Sequence, residues 1–585
     1  MQQKRLNLEL NKYILKKIYL EIKEKEPKTS NELLKILKKN PSKEGEIFSK
    51  SYLLTSLSLL EKNDSKISEI YQDILPILKM KETRTVSGVT PVTVLTKPFP
   101  CPGKCIFCPN DVRMPKSYLS DEPGAQRALS NKFDPYLQTF NRLLAFKNTG
   151  HPTSKIELLI LGGTWSSYPI EYQIWFVKRC FDALNDFENY NQAEMLKDDN
   201  LSQPFEEDKL EEIDGSNFSK SYNQIISSAI KNTKNILNEV ATWEELFVSH
   251  EKNQNSNTKC VGLSIETRPD EINEEEVIKL RKLGSTKVQI GIQSLNDEVL
   301  SLNKRGHDVS QTIKAIKLLR QAGFKIHAHY MPNLYGSNPQ KDCEDFLKLF
   351  SIKDISPDEL KIYPCSLIKT AELMKIYNQN LWKPYSKEEL EDVLQFCILN
   401  TPRFCRLTRI IRDIPSTDIV VGNKLTNFRQ IAEDKITKSN QKAVEIRSRE
   451  VKNKSYKSEN LSLKETLYET SYSTEIFLEF INENDEIFGF LRLSLPKISS
   501  FIPEIENCSI IREVHVYGKS TEVGKKDNKN TQHQGLGKTL IQRAENISKE
   551  YTFSKIAVIS AVGTRQYYQK NGFVLENLYQ IKKLT

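Results

Sequence analysis

Between about residues 85 and 415, short apolar runs recur, and between them lie longer stretches with the three- to four-residue periodicity of helices. The runs are Val92-Thr-Val-Leu95, Ile156-Glu-Leu-Leu-Ile-Leu161, Cys260-Val-Gly-Leu-Ser-Ile265, Lys287-Val-Gln-Ile-Gly-Ile-Gln293, Lys325-Ile-His-Ala-His-Tyr330 and Glu359-Leu-Lys-Ile-Tyr363. Six strand and helix repeats predict an α/β fold built on a parallel partial (β/α)6 barrel. Such barrels carry reactive residues at the C-terminal ends of their strands. Glu266, Thr267, Arg268, Gln293, Ser294, His329, Met331, Lys361 and Tyr363 are therefore candidates to touch cofactor or substrate, each with the alternative of a satisfied structural polar group.

The pattern changes on either side of this region. Residues 1–80 read as short amphipathic helices, for instance Leu6 to Ile22 and Ser30 to Lys39, and form a separate helical domain. Residues 187–257 are rich in Asn, Glu and Lys. Such a composition cannot bury much core, so they read as an insertion within the 81–431 domain, helical around Asn223 to Leu246 and otherwise disordered. A second polar stretch, 432–465, reads as a connector. It leads to a C-terminal domain, 466–585, where Glu475 to Ile481 and Ile487 to Leu493 are strands a hairpin apart.

Composition adds limits rather than detail. With 585 residues the chain has room for roughly three or four domains. A net charge of +9 suits a polyanionic partner, and the basic N-terminal helices are candidates to meet nucleic-acid phosphates, although Glu21, Glu24 and Glu26 dilute that stretch. The start, Met-Gln-Gln-Lys-Arg, lacks the apolar region of a signal peptide, and no run approaches the roughly 18 apolar residues of a membrane span. Together with seven cysteines scattered outside one loop, this leads to the expectation of a reducing, cytoplasmic location and no membrane.

That loop, Cys101-Pro-Gly-Lys-Cys105-Ile-Phe-Cys108, has the C-x3-C-x2-C spacing of radical-SAM enzymes. Three thiolates on a [4Fe-4S] cluster leave one iron open for the amino and carboxylate groups of S-adenosylmethionine, whose one-electron cleavage gives a 5′-deoxyadenosyl radical. The alternatives are a zinc knuckle, since Cys105 and Cys108 form a C-x2-C pair, or three unpaired core cysteines. No nearby histidine or second pair closes a zinc site. At the end of the second strand, Gly162-Gly163-Thr164 permits close approach of backbone to a ligand, and in radical-SAM enzymes the equivalent glycines meet the methionine amino group. Gln293 is assigned to the same cofactor.

Near the C-terminus, Gln532-His-Gln-Gly-Leu-Gly537 opens an apolar-periodic helix. This is the Q-x-x-G-x-G loop of GNAT acetyltransferases, in which bare backbone N–H groups at a helix N-terminus bind the coenzyme A pyrophosphate. Gln532, Gly535, Leu536, Gly537 and Lys538 are the expected contacts. Strand-like Ile511 to Tyr517 precedes the loop, while Lys555 to Ser560 and then Arg565-Gln-Tyr567-Tyr568 to Gly572-Phe573 follow, in the order of that α+β fold. Tyr567 or Tyr568 is a candidate acid or cofactor contact, or simply packs its helix; Glu513 and His515 are candidates to polarise a water or an amine.

The fusion of these modules resembles the family of Elongator catalytic subunits, which modify tRNA wobble uridines. The resemblance rests on ordered blocks: Thr83 to Val92, Cys101 to Pro109, Glu122 to Arg127, Phe133 to Tyr136, Ile265 to Asp270, Arg305 to His307, Arg412 to Pro415, Arg449 to Val451, Arg512 to Gly518 and Gln532 to Gly537. It implies a radical-SAM barrel and a GNAT domain acting together. Acetyl-CoA is the implied carbon source and the wobble uridine in a tRNA anticodon stem-loop the acceptor. The radical takes hydrogen from the acetyl methyl, the carbon adds to uridine C5, and loss of coenzyme A leaves a carboxymethyl group. Glu266, Lys361, Tyr567 and Tyr568 are the residues given catalytic roles, and an electron donor is required. Many relatives carry a cysteine-rich zinc motif before the Arg449-Glu-Val block. Here Ala443 to Glu450 has no cysteine, so no zinc is expected. The compact cysteine loop resembles bacterial and archaeal members, which favours a monomer or homodimer over a large complex. The competing reading is a protein lysine acetyltransferase with a merely structural iron–sulfur domain.

Overall fold

The protein is described from a computed structural model, over residues 8–27, 29–43, 45–61, 64–79, 85, 88–188, 221–232, 238–412, 414–425, 427–451, 461–517 and 535–584. Four helices, Leu8–Lys25, Ser30–Lys39, Lys50–Glu61 and Ser65–Leu78, pack around Leu15, Ile18, Tyr19, Leu33, Leu53 and Ile74. Side chains cap two of them at the N-terminus: Thr29 accepts from the Glu32 amide, and Asp64 from those of Lys66 and Ile67. This core is separate from the rest of the molecule.

The next region is a radical-SAM-type half-barrel. Strands β1 (Thr90–Leu95), β2 (Lys155–Leu161), β3 (Lys259–Thr267), β4 (Lys287–Gln293), β5 (Lys325–Tyr330) and β6 (Glu359–Ile362) are parallel neighbours in chain order. All six runs read from the sequence are present. A seventh parallel strand, β8 (Arg406–Ile410), extends the edge beyond β6, while β7 (Leu367–Ile368) and β9 (Ile419–Val421) form a separate antiparallel pair.

Two-residue alternation sorts the barrel's side chains. Val288, Ile290, Ile326, Ala328, Leu360 and Ile362 join the apolar core shared with the helices. Lys287, Gln289, Lys325, His327, His329, Glu359 and Lys361 take the opposite, concave face, and bonds between strands that are not neighbours prove it. Lys287 on β4 reaches Glu157 on β2 and, at 3.0 Å, Glu359 on β6. Lys361 on β6 donates to Gln289 on β4.

The 187–257 stretch is less peripheral than its composition predicts. Helix Tyr222–Asn232 buries Tyr222 and Ile226, and helix Trp243–Asn255 buries Leu246, His250 and Asn253 against the barrel. The second begins at a capping box between Thr242 and Glu245. Residues 189–220, the remaining part expected to be disordered, lie outside the described residues.

The final sheet has the order β10 (Ser462–Glu469), β11 (Ser473–Ile481), β12 (Ile487–Pro496), β13 (Cys508–Val516), β14 (Lys555–Val558), β16 (Tyr579–Lys583) and β15 (Val574–Glu576). It begins four residues before position 466, because β10 is an edge strand with mostly exposed side chains and little apolar signal. Among the described strands of this sheet, only β13 and β14 pair in parallel, over Cys508–Ile511 and Lys555–Val558.

This sheet is joined to the N-terminal ends of the barrel strands through buried charge. Asp358, fully buried before β6, accepts two bonds of 2.7 Å from Arg512, which also binds Glu475 at 2.8 Å. Arg492 binds Glu513 at 2.9 Å, and Lys325 bridges Glu359 and Glu513. The guanidiniums of Arg512 and Arg492 hold the Asp358 carboxyl far below the usual carboxylate range, despite burial. Asp358→Ala would remove a buried anion shared by two arginines, leaving Arg512 with Glu475 alone and Arg492 with Glu513 alone, and is expected to destabilise the protein by about 3–5 kcal/mol, read as an earlier midpoint in chemical denaturation. An unchanged midpoint would show that the network contributes no stability.

Candidate functional site

Cys101, Cys105 and Cys108 lie in the long loop after β1, all buried. The loop is fixed from outside its own chain segment. Asn223 accepts from the Cys101 amide at 3.0 Å and donates to the Cys101 carbonyl at 2.8 Å; the Ile106 carbonyl accepts from the Leu373 amide at 2.8 Å. Arg305 Nη1 is 3.1 Å from Cys105 Sγ and Arg268 Nη1 3.9 Å. Asp270 orients Arg268 through bonds of 2.9 and 2.6 Å.

These surroundings distinguish the loop electrostatically. A hydrogen bond from Cys108, followed by the two guanidiniums, holds the Cys105 thiol well below its ordinary range, while Cys108 is pushed up in the same pair. Burial raises the thiols of the seven cysteines outside the loop. Three buried sulfurs beside fixed cations fit an anionic thiolate-ligated cluster.

The end of β2 fits a ligand close to backbone. Gly162 and Gly163 have φ of +144° and +63°, and a Cβ on Gly162 would lie 1.9 Å from Thr96 Oγ1. Thr164 Oγ1 is 3.4 Å from Cys101 Sγ, which places this turn against the cysteine loop. At the end of β4, Gln293 has φ +67°, and its buried Oε1 has no hydrogen-bond partner among the described residues.

Deeper in the concave face, Glu266 and Lys361 belong to one cluster. Tyr118 donates to Glu266 Oε2 at 2.8 Å, His329 Nδ1 is 3.7 Å from Glu266 Oε1, and His329 Nε2 is 3.3 Å from Gln289 Oε1. Burial pulls the Lys361 amine down to about 8 and pushes the Tyr363 phenol up to about 12. The roles of Tyr118, Gln289, Arg305 and Arg412 were not anticipated. Their signals were the ordered blocks containing both arginines and the polar phase of β4, Lys287-x-Gln289; Arg412 stacks 4.9 Å from the centre of the Tyr118 ring.

In the C-terminal sheet, β13 runs on past its paired residues, so Arg512–Val516 have no partner on β14. Helix Leu536–Glu550 starts beside it, with Gly535 at φ +77° as its N-cap and Lys538 exposed in its first turn. A Cβ on Gly537 would lie 2.8 Å from Tyr567 Oη. Partial desolvation of the Tyr567 hydroxyl and full burial of Tyr568 raise both phenols, so they keep their protons at neutral pH. Burial lowers His515 to about 4. Gln532 lies outside the described residues. Lys325 opens β5 beside Glu513, while His329 lies four residues further along, about 13 Å at the rise of a strand. The barrel's concave face therefore extends between the cysteine-loop end and the second sheet.

Residues 235–350 match the profile of the Radical SAM superfamily and residues 357–438 that of the Radical_SAM C-terminal domain. A tRNA uridine(34) acetyltransferase from Methanocaldococcus infernus is 38% identical, over 87% of this chain and 88% of its own. The Elongator complex protein 3 of Dictyostelium discoideum is 32% identical, over 89% of this chain and 87% of its own. The chain belongs to the tRNA uridine(34) acetyltransferase and Elongator complex protein 3 family. A solved family structure, the archaeal M. infernus Elp3 lacking its N-terminus, superposes with a TM-score of 0.67 at 34% identity, covering 85% of this chain and 99% of the other. The radical-SAM match implies a [4Fe-4S] cluster and S-adenosylmethionine in this family member. No helix among the described residues is long and apolar enough to cross a membrane.

Proposed function

We propose that the protein modifies the wobble uridine of tRNA at C5, using acetyl-CoA as carbon source and radical-SAM chemistry to activate it. The observation that carries this reading is the similarity to named tRNA uridine(34) acetyltransferases across both the half-barrel and the C-terminal sheet. Cys101, Cys105 and Cys108 hold the cluster, Arg305 and Arg268 offset its negative charge, and Gly162, Gly163, Thr164 and Gln293 receive S-adenosylmethionine. When bound, the cluster supplies the electron that cleaves S-adenosylmethionine to a 5′-deoxyadenosyl radical.

Acetyl-CoA is assigned to the second sheet. The backbone of β13 beyond Ile511, unpaired on the β14 side, is assigned to the pantetheine arm, and Gly535, Leu536, Gly537 and Lys538 start a helix whose free N–H groups suit the pyrophosphate. Tyr567 or Tyr568, both protonated, is assigned as the acid that donates to the departing sulfur. A protein lysine acetyltransferase is not favoured, because it leaves the cysteine loop and the polar concave face without work. The protein is assigned to the cytoplasm and to a monomer or homodimer served by an external electron donor. Reconstituted protein supplied with reductant should form 5′-deoxyadenosine and, with tRNA, the C5 adduct detected by mass spectrometry of nucleosides. Acetyl-CoA consumption indifferent to tRNA would sink the reading.

Residues 1–80 are assigned to tRNA phosphates, carrying sixteen Lys and Arg against eleven Asp and Glu. Because they have their own core, deleting them should leave acetyl-CoA affinity intact while weakening tRNA binding. The salt dependence should flatten by roughly 0.7 to 0.9 in log K per log salt for each phosphate that the deletion leaves unneutralised. A truncated protein with the full-length salt slope would reduce this charge to a solvated surface.

A further inference from the structure

The hydrogen-bond chemistry of the concave face fixes where protons sit. Lysine can only donate, so the Gln289 atom facing Lys361 is its carbonyl oxygen, and the Gln289 amide donates instead to Ser264 Oγ at 3.0 Å. His329 Nε2, 3.3 Å from that same oxygen, must therefore carry hydrogen. The other ring nitrogen, Nδ1, is left bare, 3.7 Å from Glu266 Oε1. Glu266 Oε2 is already occupied by the Tyr118 hydroxyl at 2.8 Å. Two acceptors thus face each other in a buried site, with room for a single proton between them.

The groups around His329 keep that position free of a proton at rest. Lys361 faces it from β6 and Tyr363 from just beyond that strand, Gln289 from β4, Glu266 from β3 and His327 from its own strand; Arg305 and Arg412 add positive charge. Burial and these cations hold the imidazole well below its usual range, so it waits neutral and unprotonated at Nδ1.

The function proposed above requires such a base, and this inference rests on it. Once a carbon radical has bonded to uridine C5, the unpaired electron is on C6 and C5 still holds its hydrogen. Restoring the C5=C6 bond breaks the C5–H bond. Of its two electrons and the one on C6, two form the π bond, and the third passes to a one-electron acceptor of the iron–sulfur class. The hydrogen leaves as a proton. We propose that the Glu266–His329 pair takes this proton, His329 Nδ1 accepting it and the Glu266 carboxylate holding the imidazolium.

The test uses tRNA transcribed with uridine tritiated at C5. With the full-length reconstituted protein, tritium should reach water in step with adduct. His329→Gln and Glu266→Gln should lower tritium release by about 100-fold or more, with a much smaller fall in 5′-deoxyadenosine formation and unchanged cluster absorbance. Release at the unsubstituted rate in both variants would overturn the assignment, as would a parallel collapse of cluster, 5′-deoxyadenosine and release, which marks a structural role. No release by the unsubstituted protein, with 5′-deoxyadenosine still forming, would instead overturn the uridine reading. A readout independent of turnover is the tautomer: the chain has seven histidines, and in protein labelled with ¹⁵N-histidine the His329 signal, assigned by its loss in His329→Gln, should show Nε2–H and a bare Nδ1. An Nδ1–H signal would overturn the proposal.

Discussion

Cys105→Ser is expected to abolish the visible absorbance of the reconstituted cluster and to reduce 5′-deoxyadenosine formation below detection. Of the three cysteines, Cys105 is the one that two arginines approach, at 3.1 and 3.9 Å. A serine hydroxyl stays protonated there and is a poor iron ligand, since the thiolate is the ligating form of cysteine. The substitution also leaves Arg305 and Arg268 without the anion they face, although Arg305 keeps its 2.6 Å bond to the Gly291 carbonyl and Arg268 its pair with Asp270. The barrel core is untouched, so loss of the cluster should occur in a protein with unchanged circular dichroism. Iron content and turnover retained in that variant would exclude the loop as the radical-SAM centre.

Gly535→Glu should lower acetyl-CoA affinity by about 100- to 1000-fold, while the cluster survives. A carboxylate about 4 Å from a pyrophosphate charge costs on the order of 4 kcal/mol at the effective dielectric of a protein surface. Backbone strain is a second effect, because Gly535 has φ +77°, where a side chain is unfavourable by about 1–2 kcal/mol. Gly535→Ala separates the two: a Cβ there meets no atom within 4 Å, so alanine carries the strain without the charge. Calorimetry should find alanine mildly weakened and glutamate severely so. Equal affinities for the three proteins would show that the glycine loop does not meet the pyrophosphate.

How far the sequence foretold the molecule depended on whether each signal was local. The cysteine loop is eight consecutive residues, and its spacing speaks for itself. Strands β1 to β6 were legible as apolar runs, but β8, Arg406-Leu-Thr-Arg-Ile410, has only two apolar residues and lies at a sheet edge. Helix Trp243–Asn255 carried a readable start, Thr242-x-x-Glu245, which the dense Asn, Lys and Glu of its second half outweighed; its buried face is set by tertiary contact. The partnership of Glu266 with His329 needs β3 and β5 brought to one face, two strands apart in the sheet. Their candidacy could be read from strand ends, whereas their distance, and the tautomer that Gln289 imposes, could not.

The shared apolar core has a consequence for how the protein comes apart. Residues from Val92 on β1 through Ile581 on β16 belong to one continuous cluster, while the four N-terminal helices have another, so three functional regions make two cooperative units. Heating should release the helical bundle independently of everything after it. The half-barrel and the last sheet, by contrast, should melt together, and cutting the chain between them would expose apolar surface on both fragments and take Asp358 away from Arg512 and Arg492. On the function proposed above, radical generation and thioester handling cannot then be isolated by dissection; the two half-reactions are separable only by point substitution within an otherwise whole chain.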